Sequence, residues 1–596
     1  MPTYTAPIRD MRFVVHELFG AADTLTALPG YEEATPDLVD AVLEEANKLA
    51  SEVLAPLNQS GDEQGSRLEN GVVVNPEGFA DAHAQFVESG WGSLPFDPEF
   101  GGQGLPFTLG APLLEMWASA NMGYNLLPLL TQGGIDAIGH YGTPEQKATY
   151  LENLVTGKWS GTMNLTEPQA GSDVGAVKTK AEVQLDGSYK ITGTKIFITW
   201  GDHELSENIL HLVLARLPDA PGGTKGISCF IVPKYLVNED GSIGERNDLR
   251  CVSLEHKLGI HASPTAVMSF GDNGGATGYL LGPENGGMRV MFVMMNNARF
   301  GVGMEGVAIA ERSYQHALAY AKERVQGRVV GGGQDAAIVD HPDVRRMLMQ
   351  MKALTEASRA LAYYAASQND LASHHENEVE REAANDRLAL LTPLVKAWST
   401  DIGVEVASLG VQVHGGMGFI EETGAAQYYR DSRIAPIYEG TNGIQALDLV
   451  GRKLPLAGGA TVGSLFAEIS GTAAELQNGD MAEVGNSLAL AHEALVKATE
   501  WISTGHVDDP RAQGTGATNY LKMFSTVVGG WLMGRAALAA SRKLAASEGD
   551  AGFYKAKIAT TRFYAEQILS QVPGLLSAVT SSSEATFAID PEQMTG

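Results

Sequence analysis

Cysteine is scarce in this chain of 596 residues, where only Cys229 and Cys251 occur. The sequence therefore contains no CxxC motif, no disulfide framework and no thiolate zinc site. No HExxH motif and no cluster of histidines and carboxylates indicates a metal, so no metal site is predicted. A chain with so few thiols suits a reducing compartment, and we expect the protein to be cytoplasmic.

Long apolar runs are lacking as well. The N-terminal segment MPTYTAPIRDMRF carries charges early and has no extended apolar stretch, which argues against a signal peptide. No run of about 18 apolar residues occurs anywhere, so the sequence predicts no membrane span.

Positive charge is the third deficit, because Lys and Arg number 42 against 71 Asp and Glu, a net charge of −29. A nucleic-acid-binding protein needs a cationic face for the phosphates, so this charge balance argues against a general nucleic-acid binder. An anionic small ligand remains compatible with this charge, since a few local cations and backbone amides can hold one.

What the chain does contain is 44% hydrophobic residues, enough to build cores, and a length that predicts two to four domains. The first part has helical periodicity. Thr35 and Pro36 are typical of an N-cap and a first helical position, apolar residues recur at helical spacing as far as Val53, and Pro56 ends the run. Similar patterns predict helices over 107–128 and 144–155.

From about residue 160 to 280 the pattern is mostly β. The alternating stretch AEVQLDGSYKITG, with Asp186-Gly187 at its centre, predicts a hairpin. The apolar stretches 209–217 and 226–234 predict further strands.

Helical periodicity returns at about residue 287, where one long helix or two would fit. Glycines at 301, 303 and 306 predict close packing or a bend in that segment. A flexible loop is expected at 329–334, helices at 343–369 and 381–411, and a boundary at 454–463. An Ala-rich helical part then runs to about 572, followed by a loop-like or loosely docked tail over 580–596.

Four stretches could carry chemistry. The loop MNLTEPQAGSDVGAVKTKA (163–181) offers amides and hydroxyls that could hold a phosphate, or it is an ordinary Gly-Ser-Asp loop. In KIFITWG (195–201), Phe197 and Trp200 could stack on a flat cofactor and Thr199 could bond its edge, although such a strand end can equally be core.

QVHGGMGF (412–419) is a second Gly-rich turn, without the Walker A or GxGxxG pattern, and its glycines could simply end a helix. His414 alone is expected to be structural. In YYRDSRIAPIYEGTNGIQ (428–445), Arg430, Asp431 and Arg433 could form a salt-bridged surface turn. Glu439 alone could be a helix cap, a solvated charge or a catalytic base.

Taken together, TEPQAGSD, FIT, ARFGVG, KER, QVHGGMGF and YRDSRIAPIYEGTNGIQ, in this order and at these separations, resemble the acyl-CoA dehydrogenase family. The resemblance covers roughly residues 35–455. The N-terminal TAPIRDMRFVVHEL and the C-terminal extension look like the long bacterial branch, which includes 3-methylmercaptopropionyl-CoA dehydrogenases and broad-range fatty acyl-CoA dehydrogenases.

The resemblance implies an α+β fold with a helical N-domain, a central β-barrel-like domain, a helical bundle and an extra helical C-terminal domain. The expected boundaries are an N-terminal extension over 1–35, the helical N-domain over 36–160, the β-domain over 161–282, the helical FAD and acyl-CoA domain over 283–455 and the extension over 456–596.

The resemblance also implies FAD as cofactor and α,β-desaturation of an acyl-CoA thioester to the trans-2-enoyl-CoA, with Glu439 as the base that takes the α-proton. Its backbone N–H and a flavin hydroxyl would bind the thioester oxygen. The position-by-position match predicts further contacts: to the flavin or its pyrophosphate from Met163, Leu165, Thr166, Gly171, Ser172, Phe197, Thr199 and Thr441; to the adenosine end from Gln412 and Gly416; to the FAD of a neighbouring subunit from Arg324; and to the CoA thioester from Ser172, Asn296, Arg299 and Gly440.

The implied partners are an acyl-CoA, either a fatty acyl-CoA or 3-methylthiopropionyl-CoA, and an electron-transfer flavoprotein, with the enzyme a homodimer or homotetramer. Alternatives are an acyl-CoA oxidase that uses oxygen and a non-desaturating, repair-associated relative, which the net charge and Glu439 disfavour. The C-terminal extension could be a membrane-surface module or an interaction domain covering the dimer, and the lack of a basic amphipathic face favours the second.

Three positions depart from the family pattern. Gln326-Gly327 stands where Phe-Gly is common, His341-Pro342 where His-Gln is common, and Asn442-Gly443 where many members have glutamine in second place. These departures concern single cofactor contacts rather than the cofactor itself.

Overall fold

The computed structural model describes residues 4–332, 334–504, 506 and 508–595. The first three residues of the predicted N-terminal extension, Gly333 of the predicted flexible loop and the last residue of the tail lie outside the described residues.

The N-terminal part is helical, as predicted. Thr35 is the N-cap of the third helix, its side chain accepting from the Leu38 N–H, and the helix continues through a π-helical turn to Leu54. The elements of this part are α1 (Ile8–Arg12), α2 (Ala21–Thr24), α3 (Pro36–Lys48), α4 (Leu57–Gln64), β1 (Arg67–Glu69), β2 (Val72–Val74), α5 (Phe79–Glu88), α6 (Phe107–Ala120), α7 (Met122–Tyr141) and α8 (Pro144–Val155).

The central domain begins where the sequence turns to β. Its strands are β3 (Trp159–Asn164), β4 (Lys180–Val183), β5 (Tyr189–Thr199), β6 (Asn208–Ala215), β7 (Ser228–Pro233), β8 (Tyr235–Val237), β9 (Ile243–Arg246), β10 (Leu249–Leu254), β11 (Thr265–Phe270) and β12 (Ala276–Leu281). The predicted hairpin at Asp186-Gly187 is β4–β5, with Val183 opposite Tyr189, and both further predicted strands form.

The main sheet has the strand order β10-β11-β5-β12-β7-β6-β3, with β4 also on β5, and only the β3–β6 pair is parallel. His211 of β6 and Phe270 of β11 lie far apart in this order, yet their ring centroids are 5.7 Å apart. The sheet therefore curls around its own core, which gives the barrel-like domain that the resemblance implied.

The helical domain and the C-terminal extension complete the α+β fold, and the predicted fold class is confirmed. The segment after residue 287 is one long helix rather than two. The elements are α9 (Gly287–Glu323), β13 (Val325–Arg328), β14 (Asp335–Ala337), α10 (Pro342–His374), α11 (Glu378–His414), α12 (Ala425–Ser432), α13 (Asn442–Asp448), α14 (Ala460–Gln477), α15 (Ala482–Ile502), α16 (Ala512–Ala545), α17 (Ala551–Gln567) and α18 (Val572–Val579).

Close packing of α9 on α11 explains two of the glycines that the sequence singled out. A Cβ at Gly306 would lie 2.2 Å from the Ser399 carbonyl oxygen, and one at Gly303 would lie 2.6 Å from a Val395 methyl group. Farther along, Gly410 of α11 faces Ser313 of α9, so the two helices run in the same direction.

Helix α16 is the one described helix long and apolar enough to cross a membrane by length and composition. Its most apolar window is 83% buried inside the protein, which is the placement of a core helix.

Candidate active site

The IYEGTNG stretch (437–443), which we call the Glu439 loop, is a tight turn after α12 together with the first two residues of α13. Glu439 and Gly440 both adopt left-handed backbone conformations, with φ of +54° and +85°. For a glutamate this conformation costs roughly 1 kcal/mol or more, and such strain collects at functional sites. Thr441 then caps α13 by accepting from the Ile444 N–H at 3.3 Å. The loop thus holds one carboxylate in a fixed and strained position, and Glu439 is not the helix cap.

The carbonyls of this loop are bound by side chains from the helices behind it. The Glu439 carbonyl accepts from Arg299 Nε at 3.4 Å and from Gln445 Nε2 at 3.2 Å. The Gly440 carbonyl accepts from Lys396 Nζ at 2.8 Å. Because α9 and α11 supply Arg299 and Lys396, both long helices hold the loop in place.

The Glu439 carboxylate itself makes no hydrogen bond or ion pair within the described part of the chain. Burial raises the pKa of Glu439 to about 7, and the positive charges of Arg299 and Lys396 only partly offset that effect. A carboxylate with a pKa near neutral is suited to take and release a proton.

A second carboxyl, Glu305 on α9, stands beside this loop. It is buried, with 1% of its surface exposed, and the hydroxyl of Tyr438 donates to one of its oxygens. The other oxygen has no hydrogen-bond partner among the described residues. Burial raises the pKa of Glu305 to about 8, and the charge of Glu439 adds to the rise.

Residues predicted to line the flavin come together where β3 and β5 end. The Ile196 N–H donates to the Thr166 carbonyl at 2.9 Å, and the Thr162 hydroxyl donates to the Thr199 carbonyl at 2.8 Å. Met163 and Leu165 therefore lie in the segment beside Phe197 and Thr199.

Phe197 is the most unusual side chain of this group. It has a left-handed φ of +60° and is 58% exposed, although it is a large apolar residue. Trp200 is different: it is buried and its indole N–H donates to the Gly123 carbonyl at 3.1 Å. Of the two aromatics, Phe197 remains available to cover a flat ligand, while Trp200 belongs to the core.

The loop that follows Thr166 is organised by Glu167. This carboxylate accepts from the N–H groups of Lys178 and Thr179 at 2.7 and 3.0 Å and from Lys195 Nζ at 2.9 Å. Burial opposes ionisation, but Lys195 and these hydrogen bonds hold the pKa of Glu167 at about 2. Gly171 and Ser172 stand exposed on this ordered loop, and a Cβ at Gly171 would meet nothing within 4 Å.

Three predicted cofactor residues lie at the far end of the helical domain. Arg324 follows α9, Gln412 is near the end of α11 and Gly416 follows it; all three are exposed. Because α11 rises about 1.5 Å per residue, Gln412 lies about 24 Å along the helix from Lys396. One chain therefore does not bring these three residues to Glu439.

Of the residues predicted to contact CoA, some lie at the Glu439 loop and others do not. Arg299 is buried against the Glu439 loop and lies 3.7 Å from an Asp448 oxygen, with Gly440 nearby, whereas Asn296 is exposed one turn earlier in α9. The predicted structural role of His414 agrees with its hydrogen bond to the Gly410 carbonyl at 2.7 Å.

The surface-turn interpretation of Arg430, Asp431 and Arg433 is wrong for Asp431. That carboxylate is buried and accepts from the Ile260 N–H at 2.5 Å, because the turn packs on the loop before β11. Arg430 pairs with Asp62 at 2.6 Å and with Glu421 at 2.8 Å, and Arg433 is exposed.

Sequence reasoning missed several residues that shape the site, namely Glu167, Lys195, Glu305, Lys396 and Gln445. The signal available was a single charge inside an apolar run. Lys396 follows LLTPLV and Glu305 interrupts FGVGM–GVAIA, and neither can be solvated on a helix buried all round.

Four sequence models match consecutive parts of the chain. They describe the acyl-CoA dehydrogenase N-terminal domain over 37–158, middle domain over 162–273 and C-terminal domain over 285–454, and an acetyl-CoA dehydrogenase C-terminal-like domain over 465–590.

Curated proteins match over the full length. A 3-methylmercaptopropionyl-CoA dehydrogenase from Ruegeria pomeroyi is 51% identical, covering 98% of this chain and 99% of that protein. A butyryl-CoA dehydrogenase from Syntrophomonas wolfei is 38% identical, covering 99% of each. Among solved structures, Caenorhabditis elegans ACDH-11 in complex with C11-CoA is similar with a TM-score of 0.79 at 21% identity, covering 98% of this chain and 96% of that one.

Proposed function

Because the chain belongs to the acyl-CoA dehydrogenase family, whose domain models match most of its length, we propose that Glu439 is the base of an α,β-desaturation. The protein is an FAD-dependent oxidoreductase of this family. The substrate is an acyl-CoA thioester and the product its trans-2-enoyl counterpart. The observation that carries the role of Glu439 is a carboxylate that has no ionic partner among the described residues, stands on a strained backbone and has its pKa raised to about 7 by burial.

The residues at the ends of β3 and β5 fit a flavin. Phe197 presents an apolar ring to the outside from a strained backbone, an arrangement that a flat aromatic ligand would bury. Met163, Leu165, Thr166 and Thr199 would hold the ring system beside it, and Gly171 and Ser172 leave their loop open to a phosphate group. When bound, FAD accepts the hydride equivalent that leaves the β-carbon.

Glu439 removes the α-proton of the thioester. Its raised pKa means that the carboxylate is available at neutral pH and that the proton, once taken, is held rather than lost at once to water. The Glu439 N–H has no acceptor within the described part of the chain. We therefore assign it to the thioester oxygen, where it stabilises the charge that develops as the α-proton leaves.

A homodimer, or a homotetramer built from it, explains the two separate groups of cofactor residues. Gln412 lies about 24 Å along α11 from Lys396, which contacts the Glu439 loop, while Gly416 follows the end of α11 and Arg324 the end of α9. Exposed apolar side chains surround this end, with Met417 48% and Phe419 85% exposed. A second copy of the chain would cover these side chains. Arg324, Gln412 and Gly416 of one chain would then bind the adenosine end of the FAD held by the other chain.

The substrate we favour is 3-methylthiopropionyl-CoA, with short fatty acyl-CoA as the alternative. The favoured choice rests on the 51% identity to the Ruegeria pomeroyi dehydrogenase, against 38% to the butyryl-CoA dehydrogenase. Anaerobic bleaching of the flavin band by 3-methylthiopropionyl-CoA, butyryl-CoA and octanoyl-CoA separates these choices. Faster bleaching by butyryl-CoA or octanoyl-CoA would assign the enzyme to fatty-acid β-oxidation.

The electron acceptor we propose is an electron-transfer flavoprotein, in the cytoplasm. An acyl-CoA oxidase would instead produce peroxide stoichiometrically during aerobic turnover. Peroxide measured against product formation decides between the two acceptors.

Substitution of Glu439 by glutamine tests the proposed function. We expect turnover to fall about 10³-fold or more, because a carboxamide cannot accept the proton, while FAD content stays unchanged. Near-normal turnover of the FAD-loaded Glu439→Gln protein would overturn the assignment. A matched control is Glu421→Gln, an exposed carboxylate of the same domain that pairs with Arg430.

A further inference from the structure

Asn442 lies immediately before Gly443, the position where many members of the family have glutamine, and its side chain makes more hydrogen bonds than any other in the Glu439 loop. Its Oδ1 accepts from Lys396 Nζ at 2.9 Å. Its Nδ2 lies 3.0 Å from the Ala397 carbonyl, 3.1 Å from Thr400 Oγ1 and 2.8 Å from Asp401 Oδ1. One amide thus joins the loop to a full turn of α11.

Lys396 is buried, with no exposed surface, and lies within an apolar part of α11. Its two acceptors, the Gly440 carbonyl and Asn442 Oδ1, both belong to the Glu439 loop. No carboxylate within the described residues forms an ion pair with it. A lysine buried in this way is costly, so its retention beside the base calls for a function.

We propose that Lys396 and Asn442 are positioning residues for Glu439: they anchor the loop to α11 through its Gly440 carbonyl and place one positive charge beside the base. The proposal rests on the proposed role of Glu439. Side chains of Arg299, Lys396 and Gln445 bind the carbonyls of Glu439 and Gly440, and no group in the described part of the chain binds the Glu439 N–H or carboxylate. Asn442 holds the lysine head group where its charge acts on the carboxylate.

The charge of Lys396 is one of several around Glu439. Because it is positive, it is expected to lower the pKa of Glu439. Burial lowers the pKa of Lys396 to about 8, so the lysine is charged below that pH. Its ammonium group then favours the ionised form of Glu439. Removing it raises the pKa of Glu439 and moves the acid limb of the rate profile to higher pH. The other charged groups near these two residues are Arg299, Glu305 and Asp401.

The first experiment uses Lys396→Met in the full-length, FAD-loaded protein, with 3-methylthiopropionyl-CoA and butyryl-CoA as probes. We expect kcat to fall about tenfold or more with KM changed less than about threefold, since the base is displaced and binding is not. The acid limb should move up by about one pH unit. The matched control is Lys352→Met, a lysine of α10 that pairs with Glu356 and should leave the limb in place.

The second experiment uses Asn442→Ala, which keeps Lys396, and needs no turnover to be read. Hydrogen exchange of amides 438–443 should speed up while exchange in α9 and α11 stays unchanged. Asn442→Asp, which keeps an acceptor for Lys396, should exchange more slowly than Asn442→Ala.

These outcomes separate the two proposals. Loss of turnover in Glu439→Gln together with an unshifted acid limb in Lys396→Met overturns only the positioning role. If Lys396→Met fails to fold, unchanged loop exchange and wild-type kcat in Asn442→Ala overturn it. Retained turnover in Glu439→Gln contradicts the proposed function itself.

Discussion

The carboxylates around Arg359 and those around Glu439 all lie inside the helical part of the molecule, yet they are compensated in opposite ways. Arg359, which is 1% exposed, lies 2.5 Å from Glu115, 2.7 Å from Asp10 and 2.7 Å from Glu311. Lys557 lies 2.9 Å from Glu356 and also contacts Asp10. We call this set, with Lys352, the Arg359 network.

Around Glu439, no cation of the described residues forms an ion pair with the carboxylate. Arg299 and Lys396 bind backbone carbonyls rather than the carboxylate, and Glu305 receives one tyrosine hydroxyl. Burial raises the pKa of both carboxyls. In the network, burial also raises the pKa of Glu115, which Arg359 offsets only in part, whereas Lys557 and Arg359 lower the pKa of Asp10 despite its burial. Paired carboxylates join parts of the fold, and the unpaired Glu439 is the one that we propose as the base.

The Arg359 network also shows what holds the extensions to the core. Asp10 belongs to α1 near the N-terminus and Lys557 to α17 of the C-terminal extension, while Glu115, Glu311 and Arg359 belong to α6, α9 and α10. Five helices from four parts of the chain meet at one charge cluster. We infer that both extensions fold together with the core rather than as separate modules.

The largest expected effect follows from removing the centre of the network. Arg359→Met leaves three carboxylates buried without their main cation, so the free energy of unfolding should fall by about 3–5 kcal/mol. Urea denaturation followed by tryptophan fluorescence measures it. Arg346→Met, which breaks an exposed pair with Asp343, is the control and should change stability by less than about 1 kcal/mol. Equal effects of the two changes would remove the contrast between the regions.

A smaller effect is expected from one isosteric change made in each region. Glu115→Gln replaces a carboxyl that accepts from Arg359 and from the Tyr363 hydroxyl, and should cost about 2–3 kcal/mol. Glu305→Gln should cost less than about 1 kcal/mol at pH 7, because a carboxyl with a pKa of about 8 is already mostly protonated there. Thermal unfolding at pH 7 compares the two variants. A larger loss for Glu305→Gln would show that Glu305 is ionised in the native protein.

The sequence alone predicted the fold class, most helices and strands, and the segments that we propose as the site. The residues that define motifs such as TEPQAGSD and IYEGT are adjacent in sequence. The loop of Glu439 and the ends of β3 and β5 could therefore be predicted. The hairpin at Asp186-Gly187 and the Thr35 cap were equally local.

The electrostatics could not be predicted in the same way. Arg359 is 244 residues from Glu115 and 349 from Asp10, and no local pattern indicates such pairs. Lys396 and Asn442 are 46 residues apart, and their contact depends on how α11 and the loop pack. Two of the residues that the sequence analysis missed, Glu305 and Lys396, likewise have partners far along the chain.

The pH dependence of kcat/KM tests the central claim most directly, namely that Glu439 is a base whose carboxylate has no ion-pair partner among the described residues. Because the base must be deprotonated to act and its pKa is about 7, kcat/KM should rise as pH increases through about 7 and then level off. The measurement uses the FAD-loaded enzyme with a saturating acceptor dye between pH 5.5 and 9. The same profile is recorded for the Glu439→Asp variant. A profile already flat at pH 5.5, as for an ordinary carboxylate, would contradict the account.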